Sequence, residues 1–288
     1  IVDIAVRPGF TIPRDKPVMT IGSCFARNIE SHLQGLGFDL PMTSISIPAD
    51  ERVSATANDI LNKYSVHSIE NEIRWAFEGL DVEPERLFLE TAEAMWLDPQ
   101  LAPNLIPAAF ERVLERRNEV MEATRQLSRC GLVIITLGLA ESWIDLETGL
   151  YLNGAIPAAV LKRNPERFAL DVLGYEDILS SLERIRLLVQ TYGAEGIKIL
   201  ITTSPVPFKA TFSGDDALVA NCYSKSVQRA ACQAFAAAHA DVDYFPSYEV
   251  VTLTERGRAF DTDNIHVRPE VVKAIMAEVI RAYCPDIP

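Results

Sequence analysis

The chain has 288 residues, of which 48% are hydrophobic and 23% charged, enough for one large α/β domain or two small ones and ample for a buried core. A net charge of -13 argues against nucleic acid as a partner, because a phosphate backbone needs a basic face and no basic run is present. The five cysteines, Cys24, Cys130, Cys222, Cys232 and Cys284, form no C-x-x-C pair, which predicts reduced thiols, a cytoplasmic setting and no zinc site.

Residues 18–21 read as a short buried strand ending at Gly22. A helix is predicted over 26–36, stopped by Gly35 and Gly37, and a second short strand over 38–42. Residues 58–77 read as helical in their later part, with Ile69, Ile73, Ala76 and Phe77 on one stripe. Prolines 84, 99, 103 and 107 break the pattern of 79–107, which reads as irregular. The helix predicted over 108–129 has Phe110, Val113, Leu114, Val120, Met121 and Leu127 inward. Its other side, Arg112, Glu115, Arg116 and Glu119, reads as solvated. Residues 131–137 are apolar at consecutive positions, as in a parallel strand buried on both faces. After a second irregular segment come a periodic helix over 175–192 and a strand over 197–203. A mostly helical stretch over 215–239, a short strand over 242–245 and a last helix over 269–283 complete the chain.

Strand and helix alternate, which predicts a parallel sheet covered on both sides. The expectation is a single domain over 1–288 with inserts at about 79–107 and 141–174. In such sheets the site lies at the C-terminal strand edge. Gly22-Ser23-Cys24, Thr136-Leu137-Gly138 and Thr203-Ser204-Pro205 would collect there. The longest apolar run, 131–140, is too short for a bilayer, so no membrane insertion is expected. No leader pattern opens the chain, which starts at Ile1 without Met, as a fragment would. Oligomeric state is left open.

The stretch "TIGSCFARNIE" places a glycine, a hydroxyl and a thiol at a strand-to-helix turn. Ser23 and Cys24 are both candidate nucleophiles. The alternative makes Ser23 a helix cap and Cys24 a small buried residue. Near the other terminus, "DTDNIHVRPE" contains Asp263-x-x-His266. A carboxylate there can fix the imidazole's tautomer and stabilise the imidazolium formed when it takes a proton. His32, His67 and His239 have no such partner, and no pair has metal-ligand spacing; no metal or cofactor is expected. Ser204, Asn221, Ser224 and Lys225 are candidates for holding a polar or anionic substrate group, against a helix-start network for the last three. Trp75, Trp96, Trp143 and Tyr151 are either a sugar-stacking wall or buried packing.

The chain resembles the GSCFA family at Gly22-Ser23-Cys24-Phe25-Ala26. The likeness continues in Thr136-Leu137-Gly138-x-Ala140, Ser204-Pro205-Val206-Pro207, Asn221-x-x-Ser224-Lys225, Tyr244-Phe245-Pro246-Ser247-Tyr248-Glu249 and Asp263-x-x-His266. That resemblance implies the SGNH/GDSL hydrolase-like fold, a flavodoxin-like three-layer α/β/α sandwich with a central parallel sheet. It also implies esterases and carbohydrate O-acyltransferases. Counted from the glycine of a Gly-Asp-Ser-Leu turn, the nucleophile position is Cys24; counted by chemical type it is Ser23. His266 would be the base, held by Asp263. The implied oxyanion site includes Gly22 and Gly138, with Asn62, Asn153 or Asn221 as amide, since Ala140 stands where the superfamily has asparagine. Phe208 stands where the family has His, and Asn153-Gly154-Ala155 replaces its Asn-Cys-His-Lys-like stretch. The implied function is hydrolysis or transfer of an acyl ester on a small molecule or glycan. The alternative is a catalytically degraded glycan- or partner-binding module, or the globular part of a larger polysaccharide-assembly protein.

Overall fold

The structure is a computed structural model that describes residues 1–2, 4–53, 58–91 and 94–285. In chain order its strands are β1 (Val18–Gly22), β2 (Leu89–Glu90), β3 (Trp96–Leu97), β4 (Leu132–Leu137), β5 (Glu141–Asp145), β6 (Leu150–Tyr151), β7 (Phe168–Val172), β8 (Lys198–Thr203) and β9 (Val242–Tyr244). Its α-helices are α1 (Cys24–Gly35), α2 (Val66–Glu78), α3 (Pro84–Leu87), α4 (Phe110–Arg125), α5 (Ala158–Arg163), α6 (Tyr175–Tyr192), α7 (Ala217–Ala238), α8 (Ser247–Leu253), α9 (Arg256–Ala259) and α10 (Pro269–Tyr283).

The central sheet runs β1-β4-β8-β9, every pair parallel. Alternate residues of each strand point to opposite faces, which explains the unbroken apolar runs. Met19, Ile21, Val133, Ile135, Ile199 and Ile201 pack on one side with α2, α4, α6 and α7. Val18, Leu132, Ile134 and Leu200 pack on the other with α1, α8 and α10. The result is a three-layer α/β/α sandwich. Burying each large apolar side chain contributes about 1.5–3 kcal/mol.

Three local expectations are corrected. Residues 38–42 do not form a strand: Asp39 lends its carbonyl to Val18 N–H at 2.9 Å, but a 3-10 turn starts at Pro41, which has no N–H for a ladder. The segment 141–174 is not irregular; it folds into an antiparallel sheet, β6-β5-β7, and the short α5. The first insert carries α3 and the β2–β3 pair, with residues 92 and 93 outside the described residues. Third, Arg116 is not solvated: it is 3% exposed and pairs with Glu51 at 2.9 Å.

Candidate active site

β1 ends in a turn that only glycine fits. Gly22 has φ +136°, and a Cβ there would lie 2.2 Å from the Thr136 carbonyl oxygen on β4. The close approach lets Ser23 N–H donate to that same carbonyl at 3.0 Å. The Ser23 hydroxyl is buried. It lies 3.1 Å from Thr136 Oγ1 and accepts from Phe25 N–H at 3.4 Å, capping α1. Cys24 is the first residue of α1 and is only partly buried.

Burial raises the Cys24 thiol above its ordinary value, while Lys225 pulls it down and Asp59 pushes it up. Tyr64 sits close enough to Cys24 to be affected by its charge; burial and then Cys24 push its phenol up to about 12. The loop holding Tyr64 is tied to the turn: Lys63 N–H donates to the Gly22 carbonyl at 2.7 Å, and Asn62 pairs beside Gly22. Asn153 clamps that loop from the second insert, accepting from Tyr64 N–H and donating to the Asn62 carbonyl. Asn62 is itself 2% exposed, and its Oδ1 has no partner among the described residues.

Asp263 and His266 form the pair that their spacing suggests. Asp263 Oδ1 accepts the backbone N–H groups of Ile265 and His266, and Oδ2 lies 2.5 Å from His266 Nδ1. Those backbone bonds, then the imidazole, hold the Asp263 carboxyl down at about 2. The His266 side chain is 71% exposed, and no hydrogen bond joins it to Ser23 or Cys24.

The four polar residues considered for substrate are occupied within the fold. Ser204 is buried and accepts Val206 N–H; Ser224 is buried and accepts Ala140 N–H at 2.8 Å. Asn221 accepts Phe208 N–H at 3.0 Å. Lys225 is 1% exposed, and its Nζ donates to the Gly138 carbonyl at 2.6 Å. Gly138 itself packs on the turn, since a Cβ there would lie 3.3 Å from Ser23 Cβ. Of the aromatic residues, Trp75 is fully buried and bonds Asp81, Trp96 packs on Phe110, and Tyr151 stacks on His67. Trp143 instead meets Phe212 edge-on, and both line a pocket of about 190 Å³ that also includes Tyr64 and Leu139.

Lys63, next to Tyr64 in the chain, belongs to a buried ionic cluster that the sequence reading missed. Lys63 pairs with Glu72 at 2.5 Å; Arg117 reaches Glu72 at 2.8 Å and Asp98 at 2.7 Å. Lys63 also donates to the Gln100 carbonyl at 2.6 Å. These four side chains are at most 1% exposed. The available signal was Arg117 on the apolar stripe of α4, between Val113 and Val120, and Glu72 beside Ile69 and Ile73 on α2. Among the described residues no group of histidines, cysteines and carboxylates could hold a metal, and no helix is long and apolar enough to cross a membrane.

Among solved structures, the chain is similar to a mutant of Axe2, an acetyl-xylooligosaccharide esterase from Geobacillus Stearmophilus. The match has a TM-score of 0.38 and 12% identity, over 96% of this chain and 97% of that one. No curated protein matches the chain. The pattern of the GSCFA family matches residues 17–278, so the chain belongs to the GSCFA family.

Proposed function

We propose that this protein hydrolyses or transfers an acyl ester of a carbohydrate through an acyl-enzyme on Cys24. The observation that carries the reading is the division of the turn. Ser23 is committed to capping α1 and to Thr136, whereas the Cys24 thiol stands partly open at the helix N-terminus. The positive end of the helix dipole and Lys225 oppose the burial that raises this thiol, and sulfur is the stronger nucleophile near neutral pH.

The Cys24 thiolate attacks the ester carbonyl carbon, and the carbonyl oxygen takes the negative charge. The Cys24 backbone N–H and the Asn62 amide, turned to present Nδ2, stabilise that oxyanion. His266, its Nδ1 held by Asp263, gives a proton to the departing alkoxide and leaves a Cys24 thioester. Water or a sugar hydroxyl, losing its proton to His266, then attacks the thioester and frees the thiolate. The Trp143–Phe212 wall beside Tyr64 suits the apolar face of a sugar ring.

The test is hydrolysis of 4-nitrophenyl acetate by wild type, Cys24→Ala, Ser23→Ala and His266→Ala. Cys24→Ala and His266→Ala should each lower kcat/KM by about a hundredfold or more. Folded Ser23→Ala should retain most of the rate. Activity that survives Cys24→Ala contradicts the reading.

A second reading, a glycan-binding module without turnover, is favoured by the turn after β4. Ala140 offers no side-chain donor there, and its N–H is taken by Ser224. Glycan binding by a protein that hydrolyses no ester, and whose affinity ignores His266→Ala, would support it.

A further inference from the structure

The two inserts enclose a second, larger cavity of about 630 Å³. That size lies within the range of about 300–1,000 Å³ common for small-molecule sites. Its wall is mostly apolar: Leu97, Leu101 and Leu105 come from the first insert, Val113 from α4, and Ile156 and Ala159 from the second insert. Two charged side chains also line it, and both are paired within the fold. Asp98 binds Arg117 at 2.7 Å, and Arg116 binds Glu51 at 2.9 Å. Met95 and Ile106 on the same wall are exposed, so an apolar ligand there would remove their surface from water.

This cavity continues toward the Ser23–Cys24 turn. Pro103, Gly154 and Ala155 line both it and the smaller pocket of Tyr64, Leu139, Trp143 and Phe212. Tyr64 and Leu139 are joined directly, since Leu139 N–H donates to the Tyr64 carbonyl at 2.7 Å. A Cβ on the neighbouring Gly138 would lie 2.8 Å from that carbonyl oxygen and 3.3 Å from Ser23 Cβ. At the shared wall the two inserts come close: a Cβ on Gly154 would lie 3.3 Å from Pro103 Cδ. A longer side chain at 154 would fill that seam.

We propose that the larger cavity houses the acyl chain of the substrate, so that the ester carries a medium-length aliphatic chain and not acetyl. The proposal rests on acyl transfer at Cys24. With the ester carbonyl at the turn, the chain passes Pro103, Gly154 and Ala155 into the cavity, and the sugar keeps the Trp143–Phe212 wall. An alkyl chain brings no charge and needs no hydrogen bond, which suits a wall whose charges are already paired. Its affinity comes from burial, and each buried methylene should strengthen binding about fourfold.

The experiment compares kcat/KM for 4-nitrophenyl acetate, butyrate and octanoate, alongside calorimetric titration of the protein with dodecanoate. Octanoate should exceed acetate by about a hundredfold or more. Gly154→Leu and Ala159→Trp should each lower the octanoate-to-acetate ratio and weaken dodecanoate binding by about tenfold or more. Ala159 is exposed on α5, so Ala159→Trp tests the cavity even where Gly154→Leu does not fold. A kcat/KM that is level or falls from acetate to octanoate overturns the proposal. So does a preference for octanoate that Ala159→Trp leaves unchanged. The two readings fail separately. Acetate hydrolysis that depends on Cys24, without dodecanoate binding, removes the chain site and leaves the esterase. Dodecanoate binding that Ala159→Trp weakens, in a protein that hydrolyses no ester, keeps the cavity as an aliphatic-chain site and removes the esterase.

Discussion

At residue 22 space and backbone agree on glycine. A side chain would meet the Thr136 backbone, and φ +136° disfavours any L-residue. Gly22→Ala therefore combines strain with overpacking and should destabilise by about 2–5 kcal/mol, read as a lower urea midpoint with unchanged slope. It should also lower the rate, because the turn carries Cys24. A stable, fully active Gly22→Ala would mean that the close approach of β1 and β4 is not needed. On the same scale, Thr136 bears on the proposed preference for Cys24 over Ser23. Both residue types fit a strand-to-helix turn in sequence, and only the fold shows that Thr136 and the Phe25 N–H claim the Ser23 hydroxyl.

At the scale of elements, the buried ions fasten the first insert, through Asp98, to α2 and α4. Lys63 precedes α2, Glu72 lies within it, Asp98 follows β3, and Arg117 sits in α4. Removing Arg117 leaves Asp98 buried without its ion-pair partner and Glu72 with Lys63 alone, so Arg117→Met should cost about 3–5 kcal/mol in denaturant unfolding. A loss below 1 kcal/mol would show the cluster to be unimportant. The pH dependence follows from Glu72. Burial alone would raise its carboxyl, but Arg117 and Lys63 outweigh burial and hold it at about 2 against an ordinary 4.5. A folded-state value below the unfolded one means that the stabilisation is present above about pH 4.5. It is lost as pH falls toward 2, and Arg117→Met should flatten that fall.

Elements whose pattern is set by burial were legible: the helix predicted over 175–192 is α6, and the run at 131–137 contains β4. The segment at 38–42 has the same apolar character, yet Pro41 denies it a ladder. Segment 141–174 was opaque because its short strands find partners only across the insert. Arg117 was opaque because its partners, Glu72 and Asp98, lie far away in sequence.

Across the whole molecule, the parallel sheet brings the ends of β1, β4 and β8 to one edge, and both inserts close over that edge. Sequence spacing named Gly22, Cys24, Asp263 and His266, because each lies in a local motif at an element boundary. It also placed Thr136 at that edge and named Lys225, but it did not single out Tyr64 or the bonds that Thr136 and Lys225 make to Ser23 and Gly138. Of the candidate site residues, the Asp263–His266 pair is exposed to solvent and Lys225 is buried. The central claim is an acyl group carried on Cys24. Its most direct test is rapid-quench mass spectrometry with an activated ester, followed by peptide mapping. The account predicts a transient gain of one acyl group on the peptide containing Cys24, absent in Cys24→Ala. Turnover with no adduct on that peptide, or an adduct on Ser23, would contradict it.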